Sequence, residues 1–245
     1  MPSFDREKQQ FVVRIVYDGL AKVGKTQSLR ALYDAYSARA AGELYSPEDT
    51  ESGRTMYFDW LDLSAGFVDD RPLRAQVLSV PGQFSIVERR VRVLANADAV
   101  ILVCESTAAG VQSALLAWTM LSVIFAKLQR PRPPVIIQAN KQDLPEALSV
   151  EDIRAQLAAA NCAAPVFGAT ALVGEGTRLS FVAALSAARD QLRPLLSKGP
   201  PETTLARAQS ASELFDAMIH DADGSDAVTA AALDAAVSTL TRSTR

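Results

Sequence analysis

Gly19-Leu20-Ala21-Lys22-Val23-Gly24-Lys25-Thr26 matches the pattern G-x-x-x-x-G-K-[ST] in full. Each residue type in it has a task in holding a polyphosphate. Glycines tolerate unusual dihedrals and let backbone N–H groups wrap closely around anionic oxygens. Gly19, Ala21, Lys22, Val23 and Gly24 would form that wrap, and a helix beginning at Lys25 would add its positive end. Lys25 would neutralise the β and γ phosphates, while the Thr26 hydroxyl would bind Mg²⁺. The bland alternative, a glycine-containing turn with no ligand, is disfavoured by the elements on either side.

A second segment, Asn140-Lys141-Gln142-Asp143, could read a base. The Asp143 carboxylate can accept two hydrogen bonds from the N1 and N2 donors of guanine, and it would meet the wrong pattern in adenine. GTP and GDP are therefore expected over ATP. A four-residue N-K-x-D string is weak alone, but here it follows a full phosphate-binding motif and a buried strand. Ala169-Thr170-Ala171 is placed to support the base through backbone amides, with Thr170 and Ala171 nearest to it.

The elements that must position these segments alternate in type. Phe11 to Tyr17 is a short apolar, β-branched run ending in Asp18-Gly19, and Leu29, Leu32, Tyr33 and Tyr36 then recur at helical spacing from Lys25 to about Ala38. Tyr57–Leu63 and Leu73–Val80 read as an antiparallel hairpin joined through Gly66 and Asp69-Asp70-Arg71-Pro72. Ala99–Cys104 is a buried strand, and Val111, Leu115, Trp118, Ser122 and Phe125 mark a helix face that Pro131, Pro133 and Pro134 terminate. Val135–Ala139 is the next strand, Ser149 to about Ala160 a helix with a Ser149-x-x-Asp152 start, Pro165–Ala169 a last strand, and Thr177 to about Leu196 a closing helix. The predicted fold is α/β: a mostly parallel six-stranded sheet with one antiparallel edge strand and helices on both faces. Residues 1–197 are read as one domain. Residues 198–245 form an appendage, helical over Leu205–Ile219 or disordered.

Composition narrows the chemistry. The 245 residues are 49% apolar, ample for a core, and a net charge of -3 gives no basic patch for nucleic acid or an anionic membrane. Cys104 and Cys162 lie in apolar stretches, as suits a reducing compartment, and offer no metal framework. The longest apolar run, Ala114 to Ala126, falls short of the roughly 20 residues of a membrane span, so a cytoplasmic protein without integral membrane association is expected. With His220 as the single histidine, out in a polar tail, imidazole acid–base chemistry is nearly excluded by count.

With Gly19–Thr26 and Asn140–Asp143 in this order on this strand and helix pattern, the chain resembles the Ras-like small GTPases, P-loop proteins, over roughly residues 10–196. Within them it resembles the MglA-type bacterial GTPases that control gliding polarity, on Arg54-Thr55-Met56-Tyr57-Phe58-Asp59 and Ser79-Val80-Pro81-Gly82-Gln83. The resemblance implies that Thr55 joins Thr26 at Mg²⁺, that Gly82 offers its amide to the γ phosphate, and that Gln83 orients the attacking water. It also implies that Arg54 is an arginine finger supplied by the GTPase itself, a group worth about 10³ to 10⁵ in rate when well placed. An exposed loop arginine is the plain alternative for Arg54. Implied partners are an effector and an activating protein, of roadblock type, with recruitment to a cell pole or membrane-associated complex through a partner.

Two positions depart from the Ras pattern. Ser79 stands where D-x-x-G-Q has the aspartate that holds a Mg²⁺-bound water, so weaker metal retention is expected. Ala21 stands where Ras has glycine, and its methyl would crowd Gln83 or Arg54. Two functions stay open on these residues: a slow GTPase switch, and a GTP-binding scaffold with negligible hydrolysis, marked by Ala21 and Ser79. An ATP-using phosphotransferase is disfavoured by Asp143. Tyr57 and Trp60 are read as sheet packing rather than a partner patch, Glu88-Arg89-Arg90-Val91-Arg92 as a solvated helix face, and Asp221–Asp226 as a polar linker.

Overall fold

The computed structural model describes residues 2–46, 58–80, 87–192, 196 and 208–214, and of 87–89 the backbone alone. Seven described strands form one sheet: β1 (Ser3–Asp5), β2 (Gln10–Asp18), β3 (Asp59–Val68), β4 (Arg71–Ser79), β5 (Ala99–Glu105), β6 (Val135–Asn140) and β7 (Val166–Gly168). The order is β3-β4-β2-β5-β6-β7, with β1 antiparallel to the start of β2. β4, β2, β5, β6 and β7 run parallel, and β3 is the antiparallel edge. Helices α1 (Lys25–Tyr36), α2 (Val87–Ala95), α3 (Ala108–Lys127), α4 (Val150–Ala159) and α5 (Thr177–Asp190) complete the chain order.

The apolar runs explain this burial. β5 is buried from Ala99 to Cys104, as a central parallel strand covered on both faces must be. On one face Phe11, Val13, Ile15 and Tyr17 of β2 pack with Leu29 and Leu32 of α1 and Phe181 and Ala184 of α5. On the other, Val16, Leu78, Val100 and Leu102 meet Val93 and Leu94 of α2 and Leu121 and Ile124 of α3. Each fully buried aliphatic side chain contributes about 1.5–3 kcal/mol. By length and composition α3 could also cross a membrane, but its Val111, Ala114, Leu121 and Ile124 face belongs to this core.

The expected α/β architecture is present, with differences in detail. β1 was not anticipated: three residues carry too short a pattern, and Phe4 is held by its tilted ring contact with Phe11 at 5.0 Å. Gly66 is not in the hairpin connection. β3 continues through it with a register shift between Ser64 and Phe67, and the turn is Asp69-Asp70, both at positive φ, as a type I′ hairpin loop requires. The buried face of α3 runs through Ala114, Ala117 and Leu121, leaving Ser122 exposed. Ser149 caps α4 as expected, accepting from the Asp152 amide at 3.1 Å. Trp60 is buried on β3, and Tyr45 bridges to it across the edge; Tyr57 and Asp221–Asp226 lie outside the described residues.

Arg90, expected on a solvated face, is only 6% exposed and reaches into the protein. Segment 208–214 of the appendage is docked against the sheet. Arg14, 1% exposed on β2, donates to Gln76 Oε1 at 2.8 Å and to the Ala208 carbonyl at 2.8 Å, and lies 5.4 Å over the Trp60 ring. Arg74 donates to the Gln209 carbonyl at 2.9 Å, and Leu214 is buried in the core.

Candidate functional site

The site lies at the carboxyl ends of β2, β5 and β6, where an open α/β sheet places its ligand loops. The 19–26 segment joins β2 to α1. Gly24 takes φ 101° as the residue before the helix, and a Cβ on it would sit 2.2 Å from Asn140 Nδ2. Gly19, at φ 138°, passes so close to the Val103 carbonyl that a Cβ would meet its oxygen at 2.3 Å. Lys22 is also at positive φ, and Ala21 and Lys22 are exposed while Val23 is buried. Lys25 donates to the carbonyls of Gly19 and Leu20 at 3.0 and 2.7 Å, closing the loop on itself. Burial lowers its pKa to about 8, against the opposing charge of Asp18.

Asn140 ties the two motifs together. It is 2% exposed, donates through Nδ2 to the Val23 carbonyl at 2.7 Å, and accepts at Oδ1 from the Ala171 amide at 2.9 Å. Its neighbour Lys141 is at positive φ and pairs with Glu105 at the end of β5. Asp143 stands exposed beyond them. Thr170 and Ala171 are brought to the same end of the sheet, but their amides are already engaged. Thr170 donates to the Glu175 carbonyl at 2.9 Å and Ala171 to Asn140, so this loop supports the base segment by holding Asn140 rather than by presenting those two amides.

A buried polar chain behind the loop was not anticipated. Ser180 of α5 donates to Gln138 Oε1 at 2.6 Å, Gln138 Nε2 to Ser28 Oγ at 2.8 Å, and Ser28 Oγ to the Gly24 carbonyl at 2.8 Å. The signal was Gln138 itself, a polar residue in an otherwise apolar strand. Asp18, 0% exposed at the end of β2, accepts from Arg90 Nη2 of α2 at 2.8 Å.

On the metal side, Thr26 Oγ1 donates to Asp59 Oδ2 at 2.8 Å. Among the described residues no group of three or more His, Cys, Asp or Glu side chains could cage a metal. A hydroxyl beside a single carboxylate nevertheless fits Mg²⁺, a hard cation usually bound by one or two carboxylates together with substrate phosphates. Arg54, Thr55, Gly82 and Gln83 lie outside the described residues. Ser79 ends β4 directly opposite Asp59.

No protein-family model matches the chain. Its sequence is 33% identical over 178 residues to the mutual gliding-motility protein MglA of Myxococcus xanthus (strain DK1622), a match covering 72% of this chain and 90% of that protein.

Proposed function

The chain belongs to the MglA-like small GTPases, and from that membership we propose that it is a switch that binds GTP with Mg²⁺, hydrolyses it slowly to GDP and phosphate, and controls partner binding in cell polarity or motility. The observation that supports this best is Asn140, whose buried side chain joins the 19–26 loop to the 140–143 segment, as a nucleotide site built from two distant motifs would require.

In this reading the 19–24 backbone cradles the phosphates and Lys25 exchanges its loop carbonyls for β and γ oxygens. Asp143 reads the N1 and N2 donors of guanine. Thr26 and Thr55 would hold Mg²⁺, which would supply positive charge against the phosphate oxygens. The Gly82 amide holds the γ phosphate, Gln83 orients water for attack on it, and Arg54 stabilises charge on the transferred group. Loss of the γ phosphate then releases the segments around Arg54–Thr55 and Gly82–Gln83, which carry the partner contacts. An effector and an activating protein of roadblock type fit such a switch, acting in the cytoplasm with recruitment to a pole or membrane-associated complex. Residues 1–197 would be the GTPase domain, and 198–245 its appendage.

Single-turnover phosphate release from chain loaded with GTP or ATP in Mg²⁺ tests the proposal. The expected result is release from GTP alone, slowed at least ~10²-fold by Gln83→Ala and by Arg54→Ala. GTP that binds tightly and is never cleaved, even with an activating protein present, would replace the switch with a scaffold.

A further inference from the structure

Arg132 lies across the ring of Trp118, its guanidinium carbon 3.7 Å from the ring centre, and donates to Ser122 Oγ at 3.0 Å. The pair forms one wall of a groove of about 680 Å³ at the amino ends of β6 and β7, the opposite end of the sheet from the nucleotide loops. Pro134, Phe167, Ala183 and Ala187 help to line it, and Arg132 is the one charged side chain among its lining residues. A second hollow, of about 460 Å³, shares Arg132 and Pro133 with the first, and its charges are Arg130 and Arg132 alone.

α5 lengthens this apolar surface. Leu179, Val182, Ala183 and Ala187 recur at the spacing of one helical face; the last two line the groove, and the first two stand 61% and 51% exposed. Among the described residues, four of the five exposed large hydrophobic side chains fall between Leu172 and Val182, so the exposure is concentrated here rather than scattered. Apolar surface gathered beside fixed arginines suits an occupant that is apolar on one side and acidic at its margin.

The chain carries such an occupant beyond its described residues. From Ala208 to Thr241 it has six Asp or Glu and no Lys or Arg. Within that stretch Ala230, Leu233, Val237 and Leu240 repeat at helical spacing, Ser225-Asp226 has the residue types of a helix start, and Arg242 has that of a helix end. Leu214, the last described residue, is buried in the core that Val135 and Ala164 of the groove wall also join. The eleven residues between Leu214 and Asp226 span about 40 Å when extended, roughly the diameter of a domain of this size.

We propose that residues 226–241 dock on this surface as an amphipathic helix, with Leu233 and Val237 in the groove and Asp226 and Asp234 toward Arg132. The anchored 208–214 segment holds 226–241 at high local concentration, which favours docking within one chain.

The test is amide exchange read by mass spectrometry on the full chain, together with acrylamide quenching of tryptophan fluorescence. Trp60 is only 4% exposed, so quenching reports on Trp118. Amides of 226–241 should exchange at least about tenfold slower in the native chain than in Leu233→Asp combined with Val237→Asp, and quenching should rise at least about twofold in that variant. Arg132→Glu should also speed exchange of the segment, and adding Asp226→Lys and Asp234→Lys to it should slow exchange again. Equal exchange in the native chain and the Leu233→Asp, Val237→Asp variant overturns the proposal. Protection that leaves Trp118 unchanged puts the segment elsewhere and overturns it, as does failure of the charge reversal to restore protection. Protection that grows with protein concentration gives the groove to the segment of a second copy and overturns docking within one chain.

Discussion

Arg90 extends from α2 to place its Nη2 2.8 Å from the carboxylate of Asp18, the last residue of β2 before the phosphate loop. Both are buried, and among the described residues neither Asp18 Oδ1 nor Arg90 Nε has a further partner. The two charges answer each other directly, and the Lys25 charge also acts on Asp18 from the phosphate-loop side. Removing one member strands the other as a buried charge, which costs about 3–5 kcal/mol, whereas replacing both by apolar or neutral groups of similar size is often close to neutral. Arg90→Ala should lose about that much in urea unfolding, and Asp18→Asn combined with Arg90→Met should lose much less. Equal losses in the two would mean that the pair contributes through packing alone.

Asn140→Ala removes two buried hydrogen bonds at once, leaving the Val23 carbonyl and the Ala171 amide without this partner. Each stranded group costs about 1–3 kcal/mol. The expected outcome is a destabilised protein whose guanine-nucleotide release is accelerated at least tenfold, since 1.4 kcal/mol is already a factor of ten. Stopped-flow release from a fluorescent analogue measures it.

Lys25 makes nucleotide affinity depend on pH. Its pKa in the free protein is held down at about 8 by burial. Phosphate oxygens favour the charged form and would raise it, so binding takes up a proton above that pH. Affinity should be complete below pH 8 and fall as pH rises, by roughly fourfold between pH 7 and pH 8.5. The sign for folding is opposite: the unfolded chain binds more protons between about 8 and the ordinary lysine value of 10.5, so the free protein gains stability as pH rises through that window. Calorimetric titration in two buffers of different ionisation enthalpy detects the proton, and Lys25→Met should abolish the dependence.

The 208–214 segment should stabilise the sheet without serving the site. Arg14, which holds the Ala208 carbonyl, is four residues along β2 from Asp18, about 13 Å at strand rise. Leu214→Ala should cost about 2–5 kcal/mol as a buried leucine does, and removal of residues 199–245 should lower Tm further while guanine-nucleotide affinity stays within about twofold. A large loss of affinity on truncation would place the appendage in the nucleotide site instead.

Local pattern determined much of this protein. The glycines, Lys25 and Thr26 between a β-branched run and a helical face specify a phosphate loop, because close backbone approach to an anion leaves few residue types that work. The strand and helix alternation is legible from apolar periodicity and the α4 cap from the Ser149-x-x-Asp152 start. What periodicity cannot carry is who stands opposite whom. That Asp59 faces Ser79 and Thr26 follows from the register of β3 on β4, which the turn at Asp69-Asp70 and the irregularity near Gly66 set together, and a shift of one residue would turn Asp59 to the other face. Arg90 reads as a surface arginine until α2 is laid over the end of β2, where Asp18 draws it inward. Likewise Arg14 and Ala208, 194 positions apart in the chain, meet only because segment 208–214 covers the side of the sheet to which Arg14 points. The residue types chose the chemistry; long-range pairing, invisible to any local window, chose which carboxylate and which guanidinium are buried beside it.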